Sequence, residues 1–259
     1  MKSLGGEERT KYGDGLIKEY SNKLTKEIGK GFSTRSLKNM RKFYLFVEKG
    51  QPVDAQLTWS HYVILLSLKN TYEIEYYINQ IIKNNLSKRE IIDRIRDNEY
   101  ERLPEETKLK LINKKNNEVN DFIKNPIIIK NKQIKEKITE KLLKQLILED
   151  MEKFLLELGE GFCFIKSEYK IKIGDRYNYI DLLLFNYKYN CFVVIELKVT
   201  ESKAEHIGQI MKYMNYIDKN VKTINQEKTV GVILCKKDNK YLMDYCSNPK
   251  IFRTVYELN

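Results

Sequence analysis

An α+β protein in two parts is expected. Residues 1–125 should form an all-helical domain, helix-turn-helix-like near its start, and residues 126–259 a domain ordered αβββαβ. Three observations lead there. Through much of the first part, apolar residues recur at three and four positions, the period of a helix packed on one side. From Phe162 onward they come instead in alternating patterns or short continuous runs, as in strands, with a helical stretch between. Between the two patterns, Pro104 and Pro126 bracket a Lys/Asn/Glu-rich stretch within residues 104–132, which reads as a linker with some helix in it.

The elements follow in order. Leu16, Tyr20, Leu24 and Ile28 form one apolar stripe, and Gly29 and Gly31 end that helix. Ser33 or Thr34 can cap the next helix, which presents Leu37, Met40, Phe43, Tyr44 and Val47. This second helix and the turn before it carry Lys30, Arg35, Lys38, Arg41 and Lys42, with no acid among them. Cations so placed can meet DNA phosphates or base edges, and a solvated helix face is the plainer alternative. Further helices are expected from Thr58-Trp59-Ser60-His61, over Tyr72 to Lys83, and after Ser87, which forms a capping box with Glu90. Beyond the linker, a long amphipathic helix is expected over 133–158, with Ile134, Ile138, Leu142, Leu146, Phe154, Leu155 and Leu158 on its apolar side. Strands then run from Phe162 to the Gly174-Asp175 turn, through Tyr179–Phe185, and through Cys191–Val199. A helix covers Lys203 to Ile217 and a strand Thr229 to Cys235. A short helix around Tyr241 to Tyr245 and an extended segment from Ile251 to Leu258 complete the pattern.

Within the strands, Asp181 is followed fifteen residues later by Glu196-Leu197-Lys198, each set in an apolar run. Residues two apart in a strand share a face, so Glu196 and Lys198 project together, and Asp181 can join them from a neighbouring strand. Buried carboxylates are usually paired or bound to a metal. Two carboxylates suit Mg²⁺, with Mn²⁺ as its substitute, and the lysine can orient a water or offset charge growing on a phosphate. Glu152, beside the apolar ridge of the long helix, is the expected third acid, with Glu149 a less suited one. Gln209 and Tyr213, four apart on the later helix, share a face that can support this group. The rival reading is a structural ion pair between Glu196 and Lys198.

Bulk composition narrows the function classes. Net charge is +11, with 24 Lys and Arg against 18 Asp and Glu in residues 1–125 and 23 against 18 in the remainder. Both parts are basic, which suits a partner with a phosphate backbone, although an AT-rich genome also favours lysine. With only His61 and His206, histidine-based nucleases, Ser-His-Asp hydrolases and His-rich metal sites are disfavoured. The four cysteines have no CxxC spacing, which argues against zinc. No stretch is apolar enough to span a membrane and the start lacks a secretory apolar core, so a reduced cytoplasmic protein is expected.

Together these residues resemble the PDDEXK, or restriction-endonuclease-like, nuclease superfamily, and more narrowly the YhcG-like proteins of bacteria. The resemblance is carried by Gly31-Phe32-Ser33, Met40-Arg41-Lys42-Phe43-Tyr44, Leu57-Thr58-Trp59-Ser60-His61-Tyr62, and the run from Phe154 to Phe162. It continues in Ile180-Asp181-Leu182-Leu183, Val194-Ile195-Glu196-Leu197-Lys198, Gly208-Gln209 and Gly231 to Lys236. It implies a helical DNA-binding domain joined to a Mg²⁺-dependent nuclease domain. The motif acids then fall on Asp181 and Glu196, the lysine on Lys198, the first-helix glutamate on Glu152 and the glutamine on Gln209. Members usually begin with one more helix than this chain, which opens near Glu7-Glu8-Arg9, so the first domain is expected to be incomplete or completed by another chain. The expected activity is metal-dependent endonucleolytic hydrolysis of DNA, without a membrane or small-molecule cofactor. Two alternatives stay open: a non-catalytic nucleic-acid-binding scaffold, and RNA as substrate. Paired cuts on a duplex would favour a homo-oligomer, and no residue pattern marks an interface.

Overall fold

The computed structural model describes residues 6–50, 53–113, 121, 123–129, 138–238 and 248–259, with side chains from residue 15 onward. The chain divides after Tyr100 into two compact units.

The first unit is helical: α1 (Gly6–Glu27), α2 (Thr34–Glu48), α3 (Trp59–Leu65), α4 (Thr71–Asn84) and α5 (Lys88–Arg96). Gly29 and Gly31 both take φ near +115°, a conformation that costs side-chain-bearing residues dearly, and so the chain turns between α1 and α2. Polar caps start the next helices: Ser33 accepts from the Ser36 amide, Thr58 from His61, Asn70 from Tyr72, and Ser87 from Glu90. Each satisfies an amide that has no partner within its helix. Leu65, Tyr77, Ile78 and Ile91 are fully buried at the centre. The stripe expected to bury α1 does not do so: Tyr20 and Ile28 are 56% and 65% exposed, and on α2 Tyr44 is 64% exposed. Phe46 supplies the buried contact of α2 instead, while Phe43 packs edge-on against Trp59 and Tyr62.

The second unit contains α6 (Glu105–Ile112), β1 (Ile127–Ile129), α7 (Glu140–Glu149), α8 (Met151–Leu158), β2 (Phe162–Ile173), β3 (Arg176–Asn186), β4 (Cys191–Glu201), α9 (Ala204–Asn220), β5 (Glu227–Lys237) and β6 (Ile251–Leu258). The strands form one mixed sheet in the order β1-β6-β5-β4-β3-β2. Its β4, β5, β6 and β1 are parallel, while β2, β3 and β4 form an antiparallel meander. The described fold is therefore α+β, as the alternation of patterns implied.

Three details differ from the sequence reading. Residues 101–125, expected in the helical part, fall with the sheet unit and supply α6. The long helix is two helices, because Asp150 adopts φ −132°, ψ 55° and interrupts the ladder between α7 and α8. The triple isoleucine of β1, read as linker, pairs with β6. The short helix expected at 241–245, the start of the long helix with Ile134, and Cys246 lie outside the described residues.

Apolar side chains fill both faces of the sheet. Leu143 and Ile147 of α7 and Phe154 and Leu158 of α8 pack with Leu182, Leu184, Val193, Ile195 and Leu197. On the other face Ile207, Ile210, Met214 and Ile217 of α9 pack with Ile180, Leu183, Val194 and Ile233. Gly231 lets α9 sit this close: a Cβ there would lie 2.7 Å from Met214 Sδ and 3.0 Å from Ile210 Cδ1. The sheet thus holds two helical layers against its centre, where β3 and β4 part.

Candidate active site

The last β3–β4 pair on this side is Leu182 with Ile195. Beyond it the strands separate, and Asp181 takes over: its Oδ2 accepts from the Leu197 amide at 3.0 Å. On β4, Glu196 and Lys198 share a face and are 2% and 9% exposed. Lys198 Nζ donates to Glu196 Oε1 at 2.9 Å, and Gln209 Nε2 donates to the same oxygen at 2.7 Å. Gln209 Nε2 also lies 3.0 Å from the hydroxyl of Tyr213, one turn along α9. The structure therefore brings Glu196, Lys198, Gln209 and Tyr213 into one hydrogen-bonded group, with Asp181 beside it on the neighbouring strand.

Glu152 is not in that group. It stands exposed on α8, and no hydrogen bond or ion pair joins it to Asp181, Glu196 or Lys198 among the described residues. The glutamate that approaches is Glu140, the first residue of α7, whose Oε1 lies 3.7 Å from Lys198 Nζ. One turn later Lys144 Nζ sits 2.9 Å from Asp181 Oδ1 and 3.0 Å from Glu168 Oε1. Neither Glu140 nor Lys144 stands out in the sequence, where each looks like an ordinary helix-surface charge. The break at Asp150 changes the helical phase, so a face drawn through Glu152 is not the face α7 turns to the sheet. The usable signal was local. Thr139 caps α7 by accepting from the Leu142 amide, and Glu140 and Lys144 flank the buried Leu143 and Ile147.

Electrostatics follow from this crowding. Burial pushes the Glu196 carboxyl up to about 7, and the Asp181 charge adds to the effect despite the hydrogen bond from Lys198. Burial works against the Lys198 charge, but its bond to Glu196 and the charges of Glu196, Glu140 and Asp181 outweigh it, so its pKa stands above that of an ordinary lysine. Lys144 is raised in the same way by Asp181 and Glu168. Burial raises the Tyr213 hydroxyl.

Among the described residues, no three His, Cys, Asp or Glu side chains form a ready metal-binding group. The donor set nevertheless suits Mg²⁺, which is held by one or two carboxylates and keeps several waters. Glu196 Oε2 is buried with no hydrogen-bond partner among the described residues. Nearby, among the described residues, the carboxylates of Glu140, Glu168, Asp181 and Glu196 share the ammonium groups of Lys144 and Lys198. An unpartnered oxygen in a cluster with more acids than bases is a place where a cation is welcome.

In the helical unit, Lys30, Arg35, Lys38, Arg41 and Lys42 are all exposed. No described helix is long and apolar enough to cross a membrane.

Comparison with known proteins gives the family. Residues 1–102 match the DUF1016 N-terminal domain and residues 120–258 the YhcG PDDEXK nuclease domain. The chain is 28% identical over 269 residues to the Escherichia coli (strain K12) protein named "Putative nuclease YhcG", covering 89% of this chain and 72% of the relative. Among solved structures, it aligns with a repair endonuclease from Pyrococcus abyssi (TM-score 0.35, 19% identity, 47% of this chain and 48% of that one). It also aligns with EndoMS from an EndoMS-dsDNA2 complex (TM-score 0.33, 16% identity, 49% and 48%). The chain spans about half the length of these solved structures. With more than half of its residues matched to the nuclease domain, and with Asp181, Glu196 and Lys198 meeting where β3 and β4 part, this chain belongs to the YhcG PDDEXK nuclease family.

Proposed function

We propose that the chain is a metal-dependent endonuclease that hydrolyses DNA phosphodiester bonds, directed by its basic helical unit, in a reducing cytoplasm. The observation that carries this reading is that Asp181, bonded to the Leu197 amide, stands beside the Glu196–Lys198 pair, whose Glu196 Oε2 is buried without a hydrogen-bond partner among the described residues. Asp181 and Glu196 would hold Mg²⁺, or Mn²⁺ in its place. Such an ion, when bound, polarises a phosphate and lowers the pKa of a water.

The protein's own groups then have separate tasks. Lys198 keeps its charge beside Glu196 and can hold the attacking water or offset charge on the phosphate oxygens. Gln209 fixes the Glu196 carboxylate in orientation through its 2.7 Å bond, and Tyr213 steadies Gln209. Lys144 covers Asp181 Oδ1 and has to leave it before a cation can take that oxygen. DNA as substrate is supported by the net charge of +11 and by the exposed cations of α2 and its preceding turn.

Asp181→Ala and Lys198→Ala should each abolish cleavage of duplex or branched DNA in Mg²⁺ while leaving the circular dichroism spectrum unchanged. Failure of the parent protein to cut duplex, branched or single-stranded DNA in either Mg²⁺ or Mn²⁺ overturns the enzyme reading. One observation favours a second reading, a nucleic-acid-binding scaffold that keeps the fold: Asp181 already has a cation in Lys144. Calorimetric titration separates the two, since a scaffold would take up no Mn²⁺ and would bind DNA equally with Asp181→Ala.

A further inference from the structure

One face of the β2–β3 hairpin carries exposed cations and aromatic rings, and that face leads directly to Asp181. Across the two strands Lys170 is paired with Tyr179 and Lys172 with Tyr177. Partners in an antiparallel pair share a face, and residues two apart do as well, so these four side chains lie together. Ile171 and Ile180 point to the opposite face, where they are buried under α9. All four members of the outer group are exposed, the rings of Tyr177 and Tyr179 by 56% and 53%. Continuing along β3 by the same step of two, Tyr177 and Tyr179 are followed by Asp181.

The lysines are gathered, not splayed. Lys170 Nζ lies 3.9 Å above the centroid of the Tyr177 ring, and Lys172 Nζ is 5.9 Å from it. One ring thus holds two like charges close together, an arrangement that favours an anion. Neither lysine has a carboxylate partner among the described residues. The acid that precedes them in β2, Glu168, is taken by Lys144. Asp181 lies four strand steps beyond Tyr177, about 13 Å. Measured along the duplex axis, that distance corresponds to roughly four base-pair steps.

We propose that this face binds the sugar-phosphate backbone of the DNA strand being cut, with Lys170 and Lys172 on phosphates a few nucleotides from the scissile one and Tyr179 under the adjoining sugar or base. The assignment rests on Asp181 marking the reacting position. It adds a contact surface on the nuclease unit itself, independent of the α2 cations.

The test uses the full chain in chelator, so that no DNA is cut. Binding of a fluorescein-labelled DNA duplex is followed by anisotropy across a salt series for the parent and for Lys170→Ala/Lys172→Ala. Loss of two phosphate contacts should weaken binding near 0.1 M salt by roughly tenfold or more, and should lower the slope of log K against log salt by about 2. An unchanged affinity, or a weaker one with an unchanged slope, overturns the proposal. If the parent itself binds no DNA, the DNA reading fails first, and this surface falls with it.

Discussion

Lys144 gives the candidate site an internal counter-charge. Its ammonium lies between Asp181 and Glu168, and so meets the carboxylate that a divalent ion would need. Removing it should help the ion. Lys144→Ala takes about 1 kcal/mol or a little more of Coulomb repulsion away from an incoming dication, so Mn²⁺ should bind roughly five- to tenfold more tightly by calorimetry. Equal or weaker Mn²⁺ binding by this variant would mean that ammonium and ion do not compete. At this scale much was readable from sequence, because strand parity and one-turn helix spacing are strong local rules. Parity put Glu196 beside Lys198, and the four-residue step put Gln209 beside Tyr213. Lys144 was not readable, since a lysine on an amphipathic helix looks like any solvated residue until the helix is docked.

Among the elements, the segment before β1 is fixed by charges. Arg102 forks onto Glu157 at the end of α8, and Lys124 reaches the same carboxylate, which also accepts from the Ile128 amide at 3.1 Å. Burial would raise the Glu157 carboxyl, but Arg102 and Lys124 hold it below the usual carboxylate range. Glu157→Ala leaves two buried cations without that partner, and should cost about 3–5 kcal/mol in urea unfolding. A loss under about 1 kcal/mol would show that the clasp does not hold the segment. This explains why residues 104–132 read as linker. Their attachment depends on Arg102, Lys124 and a partner some thirty or more positions further on, and periodicity sees no such pairing. The interruption at Asp150 was hidden for a related reason, since the apolar residues on either side continue a plausible stripe through it.

At the level of the whole molecule, positive charge is spread over both units, and binding should depend on each. Reversing Arg35, Lys38 and Arg41 to Glu on α2 should weaken DNA binding by at least tenfold near 0.1 M salt while leaving the melting temperature within a few degrees of the parent. Unchanged binding would remove α2 from the interface. The two-part α+β organisation was visible in the sequence because the apolar period changes from helical to strand-like along the chain. The exposure of Tyr20, Ile28 and Tyr44 was not, because periodicity marks an apolar face without saying what covers it.

The pairing of β1 with β6 also bears on synthesis. Ile127 lies opposite Tyr256, so the isoleucine strand leaves the ribosome well before its hydrogen-bonding neighbour exists. At about 5–20 residues per second that delay is roughly ten seconds. Throughout it, the three-isoleucine strand lacks the neighbour that completes this edge of the sheet in the folded chain.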